Sequence, residues 1–386
     1  MELRVFTTAI EPIGTIDELE SLVWKTKYFD VGTALLLAPI TENNNKLLVR
    51  GNVLVKHDGK NEVVDKDGTL WRRAIQITYI RITKDEKGQE QIEAQGFALS
   101  HWLSKRVIAP QVAMNATIQN INNRIVIQNM GSGASNKRKF QQFEMLEQSD
   151  MGGGLIEYTN ELYADVGAEI KRLSVAGKLG YDILINERKK KYAFYLYKGN
   201  DLTATNSGNN TPCIFSRDFD NVNEQEYEAS IENIRNFIYV MGAADEEGNT
   251  PMITVDNEQA TGIELNEIFH NASDIARKYK PEGSETEVII PYNTYLSLLQ
   301  TRGDTELGEH GENVNFVSTI NILSNLEYKK DFDVGDRITC LEKKWNIKID
   351  ARITEIAETY QKGKEEIDAT FGESLPTLIE KIKKVR

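Results

Sequence analysis

Residues 331–338, Asp-Phe-Asp-Val-Gly-Asp-Arg-Ile, join a tight turn to a segment that alternates apolar and polar residues. Gly335 can adopt the positive φ that such a turn requires, because it has no Cβ atom. The side chain of Asp333 can cap the turn, and Asp336 opens the strand that follows. We interpret Asp333, Gly335 and Asp336 as a structural turn without chemistry. The alternation beyond it predicts antiparallel strands of a compact barrel at 336–341, 345–358 and 367–371.

The first hundred residues carry a similar strand signal. Short β-type segments are separated by turn sequences such as His57-Asp58-Gly59-Lys60. In the longest segment, Ile75 and Ile77 lie in one phase of the alternation and Ile80 lies in the other, which predicts a bulge or a strand buried on both faces. Short strands at this spacing favour a small barrel or sandwich. The predicted strands are 21–28, 33–38, 73–83 and 91–96.

Two later stretches of the chain read as mixed α/β. Apolar residues three or four apart predict a long helix over 155–173, which Gly177 or Gly180 can end. The other predicted elements are a hairpin at 181–185 and 191–197, strands at 213–216, 227–231, 236–242 and 251–255, and helices at 264–280 and 292–301. The order along the chain is therefore β, α/β, β, α/β, β.

Composition and charge exclude several classes of protein. The chain has 386 residues, enough for two to three domains, and 40% are hydrophobic, so it can bury cores. No apolar run approaches the ~20 residues of a membrane-spanning helix, and the N-terminus has no secretory signal. With Cys213 and Cys340 alone, we expect neither a disulfide framework nor a Cys-based zinc site. The net charge of −13 argues against nucleic-acid binding, because that affinity comes from clustered Lys and Arg.

No set of residues predicts catalysis or metal binding. Four histidines are present, at positions 57, 101, 270 and 310, and their spacing fits no metal-ligand motif. Glu224, Glu226 and Glu228 alternate along a strand, and we interpret them as a solvated edge that discourages pairing with another sheet. The basic run 188–191 reads as an exposed turn. We therefore expect no catalytic residue, no metal and no cofactor.

Taken together, these segments resemble a known family, the tail hub (baseplate hub) proteins of long-tailed phages and prophages of Gram-positive bacteria. The resemblance covers nearly the whole chain. Its pieces, in order, are Glu2 to Phe6, Ala74 to Arg106, Tyr197 to Thr203, Ile214 to Phe219, Asn236 to Val240, Leu299 to Gly303, Asp331 to Ile338 and Arg352 to Glu355. Leu202 departs from the Arg expected before Thr203. The chain also stops soon after Gly372 with no appended hydrolase or fibre domain, which argues against a lytic role.

The resemblance implies an α+β, β-rich fold with two small antiparallel β-barrels of tail-tube type and inserted α/β subdomains. This agrees with the order of elements predicted from the residues. The implied domains are a first β-barrel at 1–110, an α/β subdomain at 111–210, a second β-barrel combining 211–255 with 328–372, an inserted α/β excursion at 256–327 and a C-terminal tail at 373–386.

The resemblance also implies a function, that of a non-enzymatic, homotrimeric hub at the tail tip of the virion, synthesised in the cytoplasm of the host bacterium. Tail tubes are rings of six barrels and tip fibres are threefold, so a trimer of two-barrel subunits would adapt one symmetry to the other. The implied partners are the distal tail protein, the tail tube, the tape measure protein and tip fibre or spike proteins.

The same resemblance places DNA in the exit channel of the hub without specific binding, and no membrane insertion is expected. The negative charge of the chain has a natural place in such a channel. Acidic walls would repel DNA and keep it from adhering during ejection. This hypothesis requires that carboxylates cluster on the channel wall.

Two alternatives stay open. A peptidoglycan-degrading tail enzyme would need paired carboxylates in one cleft or a metal triad, and the sparse His and Cys residues count against the metal. The hub of a contractile tail or of a bacteriocin-like injection device cannot be separated from the tail hub by sequence. A zymogram of the purified protein would reveal the enzyme, and a sheath gene beside this one would indicate the contractile device.

Overall fold

The computed structural model describes residues 2–84, 86, 88–161, 163–256, 259–279, 288–311, 313–361 and 363–372. The C-terminal tail predicted at 373–386 lies outside the described residues. Strands predominate over helices, which confirms the β-rich fold class. Within the described part of the chain, no helix has the length and apolar character needed to cross a lipid bilayer.

The first β unit contains β1 (Glu2–Phe6), β2 (Pro12–Ile16), β3 (Ser21–Lys27), β4 (Thr33–Pro39), α1 (Glu42–Leu47), β5 (Val53–His57), β6 (Glu62–Val64), β7 (Leu70–Lys84) and β8 (Glu90–Ala98). Seven strands pair antiparallel in the order β2–β1–β5–β7–β8–β4–β3. Alternation along β3 and β4 buries Leu22, Trp24 and Leu36 in one core. The phase change predicted within β7 is confirmed as a bulge between Ile77 and Tyr79.

The α/β subdomain follows a 3-10 helix, Leu99–Lys105, and contains β9 (Ala113–Ala116), α2 (Ile118–Asn129), β10 (Phe143–Met145), β11 (Ile156–Thr159), α3 (Val166–Gly177), β12 (Gly180–Asn186) and β13 (Lys191–Tyr197). The predicted hairpin is confirmed, because β12 and β13 pair antiparallel. β10 adds to β13 in parallel, and β12 also pairs with β7. Helices α2 and α3 pack on this sheet through the largest apolar core among the described residues.

The rest of the chain contains β14 (Ile214–Ser216), β15 (Val222–Ser230), β16 (Phe237–Gly242), β17 (Met252–Asp256), β18 (Glu267–Ala272), β19 (Lys278–Tyr279), β20 (Val288–Ile289), α4 (Tyr292–Gly308), β21 (Asn313–Ile320), β22 (Arg337–Glu342), β23 (Ile347–Gln361) and β24 (Lys364–Gly372). Two short 3-10 helices lie at Arg217–Phe219 and Gly262–Glu264.

The second β unit is formed by six of these strands in the order β14–β22–β23–β24–β21–β15. It surrounds its own core of buried aromatic and aliphatic side chains, which includes Phe215, Phe316 and Phe371. The two β units are joined because β23 also pairs with β3 of the first unit over seven residues. Eleven strands therefore form one continuous antiparallel sheet, β2–β1–β5–β7–β8–β4–β3–β23–β24–β21–β15.

A separate layer, which we call the insert (residues 231–312), leaves the second β unit after β15 and returns at β21. Its sheet has the order β17–β16–β18, with β16 and β17 antiparallel and β16 and β18 parallel. Helix α4 covers one side of this sheet and buries Tyr295 and Leu299 against Ile238 and Val240. The strands predicted at 236–242 and 251–255 thus pair within the insert, whereas the predicted boundaries assign them to the second barrel. β21 belongs to the second β unit, whereas the predicted boundaries assign it to the excursion at 256–327.

The predicted long helix at 155–173 is wrong at its start. Residues Ile156–Thr159 form a strand that pairs with Ala113–Ala116, and the helix begins only after Asp165. The physical reason is the N-cap, since the Asp165 side chain accepts a hydrogen bond from the N–H of Ala168 at 2.7 Å. The helix predicted at 264–280 is also wrong, because Glu267–Ala272 pairs with β16 and tertiary pairing overrides the local spacing.

The two predicted barrels are not confirmed. Among the described residues, β2 and β3 at the two ends of the first unit do not pair with each other, and neither do β14 and β15. In the first unit α1 occupies the place beside β2, where Asn43 donates to the carbonyl of Thr15 at 2.9 Å. The free side of β3 instead pairs with β23, so this edge is used to join the units.

Candidate functional site: a continuous sheet face and its supports

The side of the eleven-stranded sheet that points away from the cores forms an unbroken surface across both β units. We call the outward side of β8, β4, β3, β23, β24, β21 and β15 the continuous face. Directly opposed residues of antiparallel strands share a side, so the register defines this face. Val23 opposes Leu35 on one neighbouring strand and Thr359 on the other, and Thr359 in turn opposes Glu366. Residues on the same side of the sheet are therefore adjacent from the first unit through β3 and β23 into the second.

Polar and charged side chains cover most of the continuous face, and the balance of charge shifts along it. At the join, Lys25 and Lys27 lie 2.9 and 3.5 Å from the carboxylate of Glu355. Towards the edge strand β15 the face becomes acidic, because β15 carries the predicted set of alternating glutamates and β24, two strands away, carries Glu366 and Asp368. This set consists of Glu224, Glu226 and Glu228.

Glu224, Glu226 and Glu228 stand on an edge strand, since within the described residues β15 pairs on one side alone, with β21. Glu224 and Asp368 both oppose Thr319, whose hydroxyl donates to Asp368 at 2.6 Å. The three residues thus form a row across three strands. The arrangement is that of a solvated acidic edge.

Most of the net charge of the chain lies away from the continuous face. The insert carries sixteen Asp and Glu residues against five Lys and Arg, a net −11 out of −13. The first 110 residues are neutral, with fifteen residues of each sign. The sequence hypothesis placed the negative charge of the chain on a channel wall. Most of that charge lies instead in the insert, and the continuous face contributes only the smaller acidic row on β15 and β24.

A buried ionic cluster supports the sheet beneath the join of the two units. The ammonium of Lys56 on β5 is fully buried and lies 2.6 Å from Glu358 and 2.9 Å from Asp58. The hydroxyl of Tyr360 donates to Glu358 at 2.7 Å. The ammonium also stands 5.6 Å from the ring centre of Trp24, within the range of a cation–π contact. One cation thus connects three elements of the two units.

This cluster holds the carboxylate of Asp58 in the charged state. Burial alone would raise the pKa of Asp58, but the nearby Lys56 ammonium and hydrogen bonds outweigh it and lower that pKa. Burial, and then the charge of Glu358, raises the pKa of Tyr360 well above its ordinary value, so this hydroxyl stays protonated. The cluster is therefore an ion pair with a permanent hydrogen-bond donor.

The predicted structural turn lies where the second unit meets the α/β subdomain. Gly335 has a φ of +99°, and a Cβ atom there would be 2.3 Å from Cε2 of Tyr28. The Asp333 carboxylate accepts from the N–H of Val334 at 2.7 Å. Asp336 accepts from two backbone N–H groups, of Asp333 at 2.8 Å and of Asn200 at 2.7 Å. Asp336 thus closes the turn and ties it to the segment after β13.

Tyr28 joins the first β unit, the second β unit and the α/β subdomain, which meet at this turn. It follows β3, and its N–H donates to the carbonyl of Thr354 on β23 at 2.9 Å. Its hydroxyl donates to the carbonyl of Lys178 at 2.9 Å and accepts from the N–H of Gly199 at 3.2 Å. Burial raises the pKa of Tyr28, which keeps the hydroxyl protonated. No pattern in the sequence marks Tyr28 as such a junction.

Each of the four histidines makes a local contact. Nε2 of His57 lies 2.8 Å from Glu187, and burial lowers the pKa of His57 despite that carboxylate. Nδ1 of His270 lies 3.5 Å from Glu306. The other two contact protein oxygens, of Ala98 for His101 and of Asn233 for His310. In the described part of the chain, no three His, Cys, Asp or Glu side chains are grouped to hold a metal ion.

A charged cleft of about 320 Å³ lies between α3 and α4, and the sequence pattern did not predict it. On its wall, Glu169 accepts from Tyr158 and Arg172, both at 2.6 Å. Burial would raise the pKa of Glu169, but Arg172 outweighs it and lowers that pKa. The buried Arg302 pairs with Asp274 at 3.0 Å. Arg302 also lies 3.6 Å from Glu161, and this ion pair joins the insert to the α/β subdomain.

Comparison with solved structures places this fold among phage tail proteins. The tail protein gp18 of a prophage of Listeria monocytogenes EGD-e aligns with a TM-score of 0.53 at 11% identity, over 100% of this chain and 98% of that one. The tail protein from Neisseria meningitidis MC58 gives 0.54 at 11%, over 97% and 96%. The 43 kDa tail protein of prophage MuSo2 from Shewanella oneidensis gives 0.56 at 11%, over 96% and 98%.

A search of curated protein sequences gave no match. A family model described as "Siphovirus ReqiPepy6 Gp37-like protein" matches residues 2–373. The resemblance to phage tail proteins is confirmed by this match and by the shared fold. Because the match covers almost the entire chain, the protein belongs to the Siphovirus ReqiPepy6 Gp37-like family of phage tail proteins.

Proposed function

We propose that this tail protein is a trimeric hub that joins the sixfold tail tube or distal tail ring to the threefold tip of the virion. The observation that carries the proposal is the continuous sheet, in which two β units stand side by side in one chain. Three copies then present six β units, the number required to meet a ring of six tube subunits. The insert and the α/β subdomain remain threefold.

In this proposal each β unit occupies the position that one barrel occupies in a ring of the tail tube. The first unit wraps seven strands around its core, and the second wraps six strands around another. The ionic cluster around Lys56 fixes the two units relative to each other, which a ring of defined diameter requires. The α/β subdomain and the insert would be the mixed layers outside the ring.

The continuous face is the surface that we assign to the DNA exit channel. It is predominantly polar, so it can face water, and its acidic residues on β15 and β24 disfavour adhesion of phosphate groups. DNA would pass without specific binding. The partners would be the distal tail protein, the tail tube, the tape measure protein and tip fibre or spike proteins, and the role would be structural rather than enzymatic.

Cryo-electron microscopy of assembled tail tips tests the hub directly. We expect three copies of the chain in one ring, six β units around the channel and the continuous face towards its axis. A ring with six copies, or a continuous face buried against another protein, would contradict the proposal. Assembled tails are the correct sample, because an isolated hub can stay monomeric before assembly.

A zymogram tests the non-enzymatic part of the proposal. Purified protein should produce no clearing zone on bacterial cell wall, with lysozyme as the positive control. A clearing zone that persists in a variant of the α3–α4 cleft, Glu169→Gln, would place hydrolysis elsewhere, and one that disappears would assign it to that cleft. Either zone contradicts a purely structural role.

A further inference from the structure

The outward side of the insert sheet has an apolar centre. We call this side the insert face; its apolar residues are Phe237, Tyr239 and Met241 on β16, Met252 on β17 and Phe269 on β18, and Thr254 and Asn271 share the side with them. The register places them together, because Tyr239 opposes Phe269 and Met241 opposes Met252. Met252 and Phe269 are 55% and 54% exposed. Helix α4 lies on the opposite side of the sheet, so it does not cover this face.

An acidic rim lies at the Phe237 end of the insert face. Asp256 and Glu267 both oppose Phe237, one on each neighbouring strand, and both are exposed. Glu264 lies on the 3-10 turn before β18. With the net charge of −11 in the insert, an apolar centre with this rim fits an apolar segment that carries positive charge.

The C-terminal segment 373–386 has the complementary chemistry. Its sequence is Glu-Ser-Leu-Pro-Thr-Leu-Ile-Glu-Lys-Ile-Lys-Lys-Val-Arg. Four apolar residues recur at the spacing of one side of an amphipathic segment, namely Leu378, Ile379, Ile382 and Val385. Four cations accompany them, namely Lys381, Lys383, Lys384 and Arg386. The segment therefore combines the apolar and cationic groups that the insert face and its rim would contact.

The strand register brings the start of this segment to the base of the insert. Gly372, the last residue of β24, opposes Asn315 of β21. Two residues earlier on β21, Asn313 opposes Ser230, after which the chain enters the insert. The N–H of Arg235 donates to the carbonyl of His310 at 3.1 Å, which closes this base two residues before Phe237. Fourteen residues can extend over about 46 Å, which is ample to cross a three-stranded sheet.

We propose that residues 373–386 dock on the insert face of their own chain, with the apolar side chains on the aromatic and methionine centre and the cations at the acidic rim. The docked segment shields an apolar surface that water would otherwise contact. This inference is independent of the trimeric hub, because it concerns contacts within one chain.

Disulfide trapping in the full-length chain tests the docking. The variant Thr254→Cys with Ile382→Cys places one thiol on exposed Thr254 of β17 and one on the segment. The native Cys213 and Cys340 are buried, and burial raises the pKa of Cys213 to about 12, so they do not compete. We expect an intramolecular disulfide with oxidised glutathione at least about tenfold faster than in the control pair Glu366→Cys with Ile382→Cys.

Glu366 is a suitable control because it is exposed and lies six residues before Gly372 on β24. Equal rates for the two pairs would overturn the docking. A disulfide that forms between two chains, seen by mass and peptide mapping, would overturn the assignment to the same chain. Trimer formation in assembled tails can be intact in both of these cases, so failure of the docking is distinguishable from failure of the hub.

Methionine oxidation tests the same contact without engineered thiols. We expect Met252 to form its sulfoxide several-fold faster with hydrogen peroxide when Lys381, Lys383 and Lys384 are changed to Glu, because the segment no longer covers it. The matched variant with Arg at these three positions should oxidise like the unmodified protein. Identical oxidation of Met252 in all three proteins would overturn the docking.

Discussion

The continuous face and the insert face are both outward sides of sheets, and they differ in the side chains that they present to water. The continuous face carries mostly lysines, glutamates, threonines and glutamines over seven strands in two β units, with apolar exceptions that include Val23, Leu35 and Phe97. The insert face, on three strands, carries three aromatic residues and two methionines. The supports differ as well, because an ionic cluster lies under the first and an apolar core with α4 lies under the second.

The difference shows that the polarity of the side chains on a sheet surface indicates whether that surface is in contact with water or covered by protein. A face that stays wet gains nothing from apolar side chains, and a face that is covered gains stability from each apolar group removed from water. The polar continuous face is therefore suited to a water-filled channel. The insert face is suited to a second polypeptide segment. Each prediction below changes one side of this comparison.

The largest effect should follow from removing the cation beneath the continuous face. Lys56→Met keeps a similar volume but leaves Asp58 and Glu358 as buried charges without their partner. We expect the free energy of unfolding, measured by urea denaturation, to fall by about 3–5 kcal/mol. Lys25→Met removes an exposed cation from the same join and should cost less than about 1 kcal/mol. Equal costs would show that the buried cluster does not hold the units together.

A smaller loss should follow from adding one methyl group at the turn. In Gly335→Ala the new Cβ meets the ring of Tyr28 at 2.3 Å, and the residue must keep its positive φ. We expect a loss of about 2–4 kcal/mol in thermal or urea unfolding. Gly363 is the matched control, because its φ of +76° is similar but nothing lies within 4 Å of its added Cβ. Gly363→Ala should cost only about 1 kcal/mol.

The turn and the strands around it show how far sequence reasoning extends. Alternation is a local signal, so the strands at 21–28, 33–38 and 91–96 and the bulge in β7 could be predicted. Local spacing failed at 155–173 and 264–280, where Ile156–Thr159 and Glu267–Ala272 become strands through pairing with partners elsewhere in the chain.

The candidate site itself was largely hidden from sequence reasoning. The pairing of β3 with β23 joins residues about 330 apart, and no periodicity reports such a contact. Lys56 offered a weak signal, because it shares a phase with Leu54 in a strand that is apolar in both phases. The insert face was missed since its aromatic residues come from three strands, and only the register brings them together.

Acid should weaken the support of the continuous face through Asp58. Its pKa is lower in the folded chain than in the unfolded chain, so its contribution is fully present above the unfolded pKa of about 3.9. That contribution is lost as the pH falls through the folded pKa. We expect unfolding free energies of the protein and of Asp58→Asn to differ at pH 6 and to converge once the pH has fallen through the folded pKa of Asp58. A constant difference across this range would contradict a charged Asp58.

The smallest effect on folding should come from the acidic edge of the continuous face, and this edge gives the sharpest contrast between the two surfaces. Glu224, Glu226 and Glu228 stand on an edge strand in water, so changing all three to Gln should alter the unfolding free energy by less than about 0.5 kcal/mol. Changing all three to Val gives this edge the apolar character of the insert face. The Val variant should fold but self-associate in sedimentation velocity, whereas the Gln variant should sediment like the unmodified protein, because loss of charge alone leaves the edge polar. Self-association of both variants would mean that repulsion between carboxylates, rather than the polarity of the side chains, keeps this surface free.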